Sequence, residues 1–114
     1  MRERIGAAAR RGGRDPGSVA LIGASKRQPV DRLSEAVEAG LATFGENRVQ
    51  EAAEKVPLLP AVADWHLIGP LQSNKARRAI ELFGTIHSID RLRIADTLSR
   101  LTAAKGRRLP CFLE

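Results

Sequence analysis

One strand-and-helix unit decides the fold, and it occupies residues 19–41, VALIGASKRQPVDRLSEAVEAGL. Residues 19–25 form a nearly continuous apolar run of strand length, which is typical of a parallel strand covered on both faces. The residues that follow have apolar side chains at helical spacing, with Pro29 at the start and Gly40 at the end. Proline and glycine favour these two helix positions. The sequence therefore predicts a parallel strand followed directly by an amphipathic helix.

The same order of elements repeats along the rest of the chain. The predicted strands are 19–25, 43–46, 65–68, 85–89 and 109–113, and the predicted helices are 2–11, 29–40, 49–59, 74–83 (capped by Ser73) and 91–105 (capped by Asp90). Strands that alternate with helices over short loops imply a parallel sheet with right-handed crossovers. Two architectures fit this α/β pattern: an open doubly wound sheet, and the first part of a (β/α)8 barrel, which needs roughly 250 residues when complete.

The composition is that of a globular protein with an aliphatic core. The chain has 114 residues, of which 43% are hydrophobic and 28% charged, with three Phe, one Trp and no Tyr. Cys111 is the only cysteine, which excludes an internal disulfide. No apolar run reaches the roughly 20 residues that cross a bilayer, and the N-terminal segment lacks the apolar stretch of a signal peptide. We therefore expect one cytoplasmic domain, residues 1–114, without membrane contact.

The positive charge is concentrated at the N-terminus. Lys and Arg number 19 and Asp and Glu number 13, which gives a net charge of +6. Residues 1–14 hold five Arg and one Glu, a net +4, so the other 100 residues contribute only +2. This segment has no aromatic residue that could stack on a base. We interpret it as a solvated helix face and expect no nucleic-acid partner, with a basic nucleic-acid-binding module kept as an alternative.

Lys26 is the residue with the clearest chemical potential. By strand alternation it shares a face with Ala20, Ile22 and Ala24, and such residues leave room for a ligand. The carboxyl end of a parallel strand is where α/β folds place their sites. A partly desolvated lysine favours its neutral amine, which can attack an aldehyde and form a Schiff base. The alternative is that Lys26 only extends from the strand end to water.

Two further polar residues lie in or after predicted strands. Asn47 follows the second strand, where its amide can donate and accept hydrogen bonds or can cap the next helix. His66 alternates with Trp65, so the two side chains are expected on opposite faces of the sheet. A zinc site is poorly supported, because His66 and His87 are the only histidines and Cys111 the only thiol. The sequence also contains no Walker or GxGxxG phosphate loop.

Four segments together resemble one protein family. They are ASK at 24–26, FGENRVQE at 44–51, WHLIGPLQSNK at 65–75 and IHSIDR at 86–91. In this order and spacing they resemble the pyridoxal-phosphate homeostasis protein family, also described as the PLP-binding or alanine-racemase N-terminal-domain-like group (PLP is pyridoxal 5'-phosphate). The resemblance extends over residues 2–114, and its two longer segments are highly specific together.

The resemblance implies a fold, a cofactor and a set of site residues. Its members are (β/α)8 TIM-type barrels of the alanine racemase kind, of which this chain would supply the first five strands and four to five helices. They carry PLP as an internal aldimine on the lysine that ends the first strand, here Lys26, and the positions of Asn47 and His66 lie near the cofactor. Members have no established catalytic activity and are thought to buffer PLP in the cytosol and deliver it to apo-enzymes. The resemblance thus implies no catalytic residue and no metal.

Two expectations concern residues 1–114 without the second half of the barrel. The family holds the PLP phosphate in the second half of its barrel, beyond Glu114. We therefore expect residues 1–114 alone to bind PLP weakly or not at all and to self-associate through open barrel edges. A PLP-dependent amino-acid racemase remains the alternative function. It would need a second acid/base group opposite Lys26 and a group that binds the substrate carboxylate, and the sequence identifies neither.

Overall fold

The computed structural model describes all residues, 1–114, and contains one five-stranded sheet in the order β1-β2-β3-β4-β5. The strands are β1 Gly23–Ala24, β2 Thr43–Glu46, β3 Asp64–Leu67, β4 Thr85–Ile89 and β5 Cys111–Leu113. All four neighbouring pairs are parallel. A doubly wound sheet reverses its strand order at a switch point, whereas a barrel adds each strand beside the last. The sequential order therefore confirms the barrel alternative: the sheet is an arc of a (β/α) barrel.

Five α-helices accompany the strands, and four of them are shorter than predicted. The helices are α1 Arg2–Arg11, α2 Val30–Glu38, α3 Val49–Lys55, α4 Ala76–Leu82 and α5 Leu92–Ala104, with 3-10 turns at Pro16–Ser18, Val56–Leu58 and Ser73–Lys75. The third helix stops at Lys55 rather than residue 59 because Pro57 tightens the chain into a 3-10 turn. Ser73 begins a 3-10 turn, and Asp90 accepts a 2.7 Å bond from the Arg91 guanidinium, so neither caps a helix.

The first strand is much shorter than the apolar run at 19–25 predicts. Gly23 pairs with Phe44 and β2 begins at Thr43, so residues 19–21 extend past the start of the only strand beside them. Ala20 and Ala24 are exposed, and the prediction that both faces of this strand are covered is therefore wrong for the residues described. The fifth strand likewise begins at residue 111 rather than 109.

The hydrophobic core lies between the sheet and the helices. Phe44 and Trp65, paired across β2 and β3, point to this side, and their ring centroids are 5.2 Å apart. Helix α5 packs on the core through Ile94 and Leu98 at a spacing of four residues. Leu92, the first residue of this helix, is 84% exposed and does not contribute to the core.

The opposite face of the sheet is the concave side of the arc, which we call the inner face. Ala24, Gly45 and His66 are partners in the register of neighbouring parallel strands, so they share this face. Trp65 and His66 point to opposite sides, as their alternation predicted. All five strands end at the same edge, which brings the loops after β1, β2 and β3 together. None of the helices has the length and apolar character that crossing a membrane requires.

Candidate functional site

The candidate site lies at the carboxyl edge of β1, β2 and β3, where two grooves adjoin. The first groove has a volume of about 490 Å3 and is lined only by polar and charged residues: Lys26, Arg27, Asn47, Arg48, Gln50, Glu51 and Glu54. The second has a volume of about 740 Å3 and extends from the same loop toward Gly69 and Lys75. The two grooves share Asn47, Arg48 and Gln50. The structure thus brings Lys26 and Asn47 to one groove, as expected of residues that follow adjacent parallel strands.

Lys26 is exposed, but the backbone on both sides of it is tightly held. Ser25 is buried, and both its backbone N–H and its hydroxyl donate to the Gly45 carbonyl, at 2.9 and 3.2 Å. Arg27 has a φ of +60°, a left-handed conformation that few non-glycine residues adopt. The Arg27 N–H donates to Glu51 Oε1 at 2.7 Å. Lys26 therefore lies between Ser25, which is hydrogen-bonded to β2, and Arg27, which is hydrogen-bonded to α3.

A buried ion cluster, consisting of Glu46, Glu51 and Lys55, lies beneath this loop. The Lys55 ammonium donates to Glu46 Oε1 and the Ser25 carbonyl, both at 2.6 Å, and to Glu51 Oε1 at 3.2 Å. These three bonds use all three of its protons. Glu46 is 0% exposed and Lys55 is 7% exposed. The cluster connects the end of β1, the end of β2 and helix α3.

Sequence reasoning missed this cluster, although one signal was present. Lys55 follows Val49 and Ala52 on the buried side of α3 at three-residue spacing. A lysine on the apolar stripe of a helix needs a carboxylate partner, since a buried charge is costly when it is unpaired. Glu51, four residues earlier on the same helix, and Glu46, at the end of the preceding strand, were the available partners.

The environment shifts the pKa values of the two carboxyls in opposite directions. Burial raises the pKa of Glu46 above its ordinary value, although the hydrogen bond and charge of Lys55 oppose the shift. Its second oxygen, Oε2, is buried without a hydrogen-bond partner. The pKa of Glu51 is lowered, chiefly by the hydrogen bond from the Arg27 N–H and also by Lys55. The surroundings of Glu51 thus favour its charged form, whereas burial opposes the charged form of Glu46 and Lys55 favours it.

Asn47 lies in the loop after β2 and does not cap α3. The N-cap position is Arg48, and no side chain bonds the first N–H groups of this helix. The Asn47 backbone packs closely against Gly69 in the loop after β3. A Cβ at residue 69 would lie 2.8 Å from the Asn47 Cα, so this contact requires glycine. The Asn47 amide is consequently free for other partners, on a backbone fixed by the neighbouring loop.

His66 lies on the inner face, one layer below the groove, and is not among the groove-lining residues. Its Nε2 is 3.0 Å from Asp64 Oδ2 and its Nδ1 is 2.9 Å from His87 Nε2. The ring of His87 stacks on Phe112 with centroids 4.8 Å apart. Burial and the charge of His66 lower the pKa of His87. The structure thus joins His66 to a hydrogen-bonded chain in the arc rather than to Lys26.

Comparisons with known proteins connect this geometry to a family. No family model matches the chain. The pyridoxal phosphate homeostasis protein of Escherichia coli K12 is 46% identical over 103 residues, which are 87% of this chain and 44% of that protein. The protein of the same name from Pseudomonas aeruginosa is 50% identical over 97 residues, which are 84% of this chain and 42% of that protein. The chain is similar to part of these pyridoxal phosphate homeostasis proteins, and it spans less than half of their length.

A solved structure extends the similarity to the fold. PipY from Synechococcus elongatus PCC7942, solved with PLP bound, is 43% identical and superposes with a TM-score of 0.79. The match covers 97% of this chain and 52% of PipY. PipY was also solved without PLP, and that structure superposes with a TM-score of 0.79. The resemblance to the pyridoxal phosphate homeostasis protein family that the four sequence segments predicted is therefore confirmed over the matched residues, together with the barrel fold.

Proposed function

We propose that the protein binds PLP through a Schiff base on Lys26 and serves intracellular PLP homeostasis and carriage without turnover of its own. The observation that carries this proposal is the position of Lys26, an exposed amine at the carboxyl edge of the arc with a fixed backbone on both sides. The names of the curated relatives and the PLP-bound structure of PipY support it.

The residues around Lys26 fit such a ligand. The groove volume of about 490 Å3 is within the range typical of small-molecule sites. Bound PLP would supply an aldehyde, with which the Lys26 amine would condense to form a carbon–nitrogen double bond and release one water. Arg27 and Arg48 line the groove and give it a positive potential that attracts a phosphate dianion. We assign Asn47 to the cofactor surroundings as a hydrogen-bonding amide, and His66 as part of the layer beneath.

The absence of turnover is proposed from the groups that adjoin Lys26. Glu51 lines the groove, but its Oε1 is already bonded to the Arg27 N–H and the Lys55 ammonium. Glu54, the other carboxylate in the groove, is exposed to water. A racemase requires a second acid/base group held opposite its lysine, and neither carboxylate has that arrangement. The bound cofactor would therefore be stored rather than used.

The proposal also covers the domain to which the chain contributes, its location and its partners. We propose that residues 1–114 form the amino-terminal part of a single PLP-binding barrel domain in the cytoplasm, and that PLP-dependent apo-enzymes receive the cofactor. Strands β1 and β5 each pair with one neighbour only, which leaves two open strand edges. Such edges are templates for pairing with another chain, and we propose that residues 1–114 alone self-associate through them.

Replacement of Lys26 by alanine in the full-length protein tests the assignment. PLP is added, the absorbance band of the bound cofactor is recorded, and borohydride reduction followed by intact mass and peptide mapping locates the adduct. Lys75, which lines the second groove, provides the matched control. We expect Lys26→Ala to abolish the band and the adduct and Lys75→Ala to retain both. A reducible adduct that persists in Lys26→Ala would show that another lysine holds PLP.

A further inference from the structure

We propose that Lys55 is a positioning residue, which fixes the peptide groups on both sides of Lys26 and so directs the Lys26 amine into the groove. The inference rests on the proposed function of Lys26. Lys55 itself is buried and does not line the groove. It acts through the buried ion cluster rather than by touching a ligand.

The first tie holds the peptide group that precedes Lys26. The carbonyl of Ser25 belongs to the peptide unit that joins Ser25 to Lys26, and it accepts the 2.6 Å bond from the Lys55 ammonium. The same residue is bonded to the Gly45 carbonyl through its N–H and its hydroxyl. Hydrogen bonds to charged groups are the strong ones, so the ammonium is the firmest of these anchors.

The second tie holds the peptide group that follows Lys26. The N–H of Arg27 belongs to the peptide unit that joins Lys26 to Arg27, and it donates to Glu51 Oε1 at 2.7 Å. Lys55 lies 3.2 Å from the same oxygen and fixes its position. The left-handed backbone of Arg27, at φ +60°, persists only where its surroundings determine it. Both peptide groups that flank the Lys26 Cα therefore depend on one ammonium group.

A purely structural role does not explain why the cluster is ionic. Burying two charges is costly, and replacing a buried ion pair by apolar residues of similar size is often neutral or stabilising. Apolar side chains in the places of Glu46 and Lys55 could join α3 to β2 equally well. They could not bond the Ser25 carbonyl or orient Glu51 toward Arg27, because they carry no donor. A charged cluster, unlike an apolar one, can thus hold the peptide groups on both sides of Lys26.

The test separates stability from positioning in the full-length protein. Lys55→Met leaves Glu46 buried without its partner. This unpaired carboxyl lowers the stability of the variant whether or not Lys55 positions Lys26. The double variant Lys55→Met/Glu46→Gln removes the unpaired carboxylate and returns the thermal midpoint toward that of the wild type. Lys105→Met/Glu81→Gln makes the same two substitutions in an exposed pair outside the groove and is the matched control.

Two measurements report on the Lys26 loop. One is hydrogen exchange at the Arg27 amide in protein without cofactor. The other is the rate at which PLP, followed by borohydride, labels Lys26, located by peptide mapping. We expect the double variant to regain stability, to exchange the Arg27 amide at least tenfold faster and to label Lys26 at least tenfold more slowly. Wild-type exchange and labelling in a stable double variant would overturn the inference.

A second pair of variants keeps the test decisive if the double variant does not fold. Glu51 is only part-buried, and Glu51→Ala removes the tie to Arg27 while the Lys55–Glu46 bond remains. Glu51→Gln retains an oxygen that can accept from the Arg27 N–H. We expect slower labelling in Glu51→Ala and recovery in Glu51→Gln, and equal labelling in all three proteins would refute the role of the cluster. Labelling of a residue other than Lys26 in the wild type would instead refute the proposed function.

Discussion

Removal of the Lys55 side-chain charge is the perturbation whose size follows most directly from the structure. Glu46 is 0% exposed, its Oε1 is bonded to Lys55 at 2.6 Å and its Oε2 has no partner. Lys55→Met therefore leaves a buried carboxyl without its ion pair. Removing one partner of a buried pair costs about 3–5 kcal/mol of unfolding free energy. We expect a loss of this size in the full-length protein at about pH 8, measured by urea unfolding.

The loss should depend on pH with a definite sign. Burial already raises the pKa of Glu46 above its ordinary value of 4.5, and Lys55 opposes that shift. In Lys55→Met the folded-state pKa rises further, so the folded state binds more protons than the unfolded state above about pH 4.5. Stability then falls as pH rises through the folded-state pKa. The deficit relative to the wild type should accordingly be smaller at about pH 5 than at about pH 8.

Two controls make this prediction specific. Lys105→Met makes the same chemical change at an exposed lysine, whose nearest carboxylate, on Glu81, is 3.8 Å away. Exposed pairs contribute about 0–1 kcal/mol, so this variant should unfold almost as the wild type does. Lys55→Met/Glu46→Gln should lose the added pH dependence, because the unpaired carboxyl of Glu46 has been removed. A deficit below about 1 kcal/mol at pH 8, or one that does not shrink in acid, would refute the reasoning.

The remaining predictions concern the groove and its cofactor. Gly69→Ala places a Cβ against the Asn47 backbone and should cost about 1–3 kcal/mol in unfolding free energy. Gly84→Ala, whose Cβ would lie 2.7 Å from an Asp64 side-chain oxygen and no closer than 4.0 Å to backbone, should cost clearly less, and a reversed order would contradict the packing described. With PLP bound, the protein should racemise or transaminate amino acids no faster than free PLP. An activity that disappears in Lys26→Ala would favour the racemase instead. Monomeric residues 1–114 should bind PLP roughly 10²–10⁴-fold more weakly than a complete barrel, because two missing charge-assisted bonds to phosphate are worth about 1.5–3 kcal/mol each. Tight stoichiometric binding in an absorbance titration would show that the groove suffices.

The elements that the sequence predicted well are those fixed by local chemistry. The bounds of Thr43–Glu46 and Thr85–Ile89 agree with the structure, and each strand begins within three residues of a glycine that follows a helix, Gly40 or Gly84. Helix α1 also agrees, because Gly12 and Gly13 follow it directly. The position of Lys26 at the carboxyl edge then follows from the alternation of strands and helices. The choice of a barrel over a doubly wound sheet came from the resemblance of the four segments to a known family.

The parts that could not be predicted depend on partners distant in sequence. The length of β1 is limited by where β2 begins, 20 residues later, and no local pattern in 19–25 contains that information. The buried ion cluster depends on a contact between the Ser25 carbonyl and Lys55, 30 residues apart. The bond between His66 and His87 on the inner face likewise joins residues 21 positions apart. Strand alternation gives the face of a side chain but not its partners.

Asp64, His66 and His87 form a hydrogen-bonded chain on the inner face, and Asp64 sets the direction in which protons are donated along it. The Asp64 carboxylate can only accept, so the His66 Nε2 facing it at 3.0 Å carries the proton. In a neutral ring the Nδ1 of His66 then accepts, and the Nε2 of His87 must be the donor across 2.9 Å. The tautomers of two imidazoles on separate strands are thus dictated from the start of β3. An amide in place of the Asp64 carboxylate, which could donate, would allow the polarity of the whole chain to reverse.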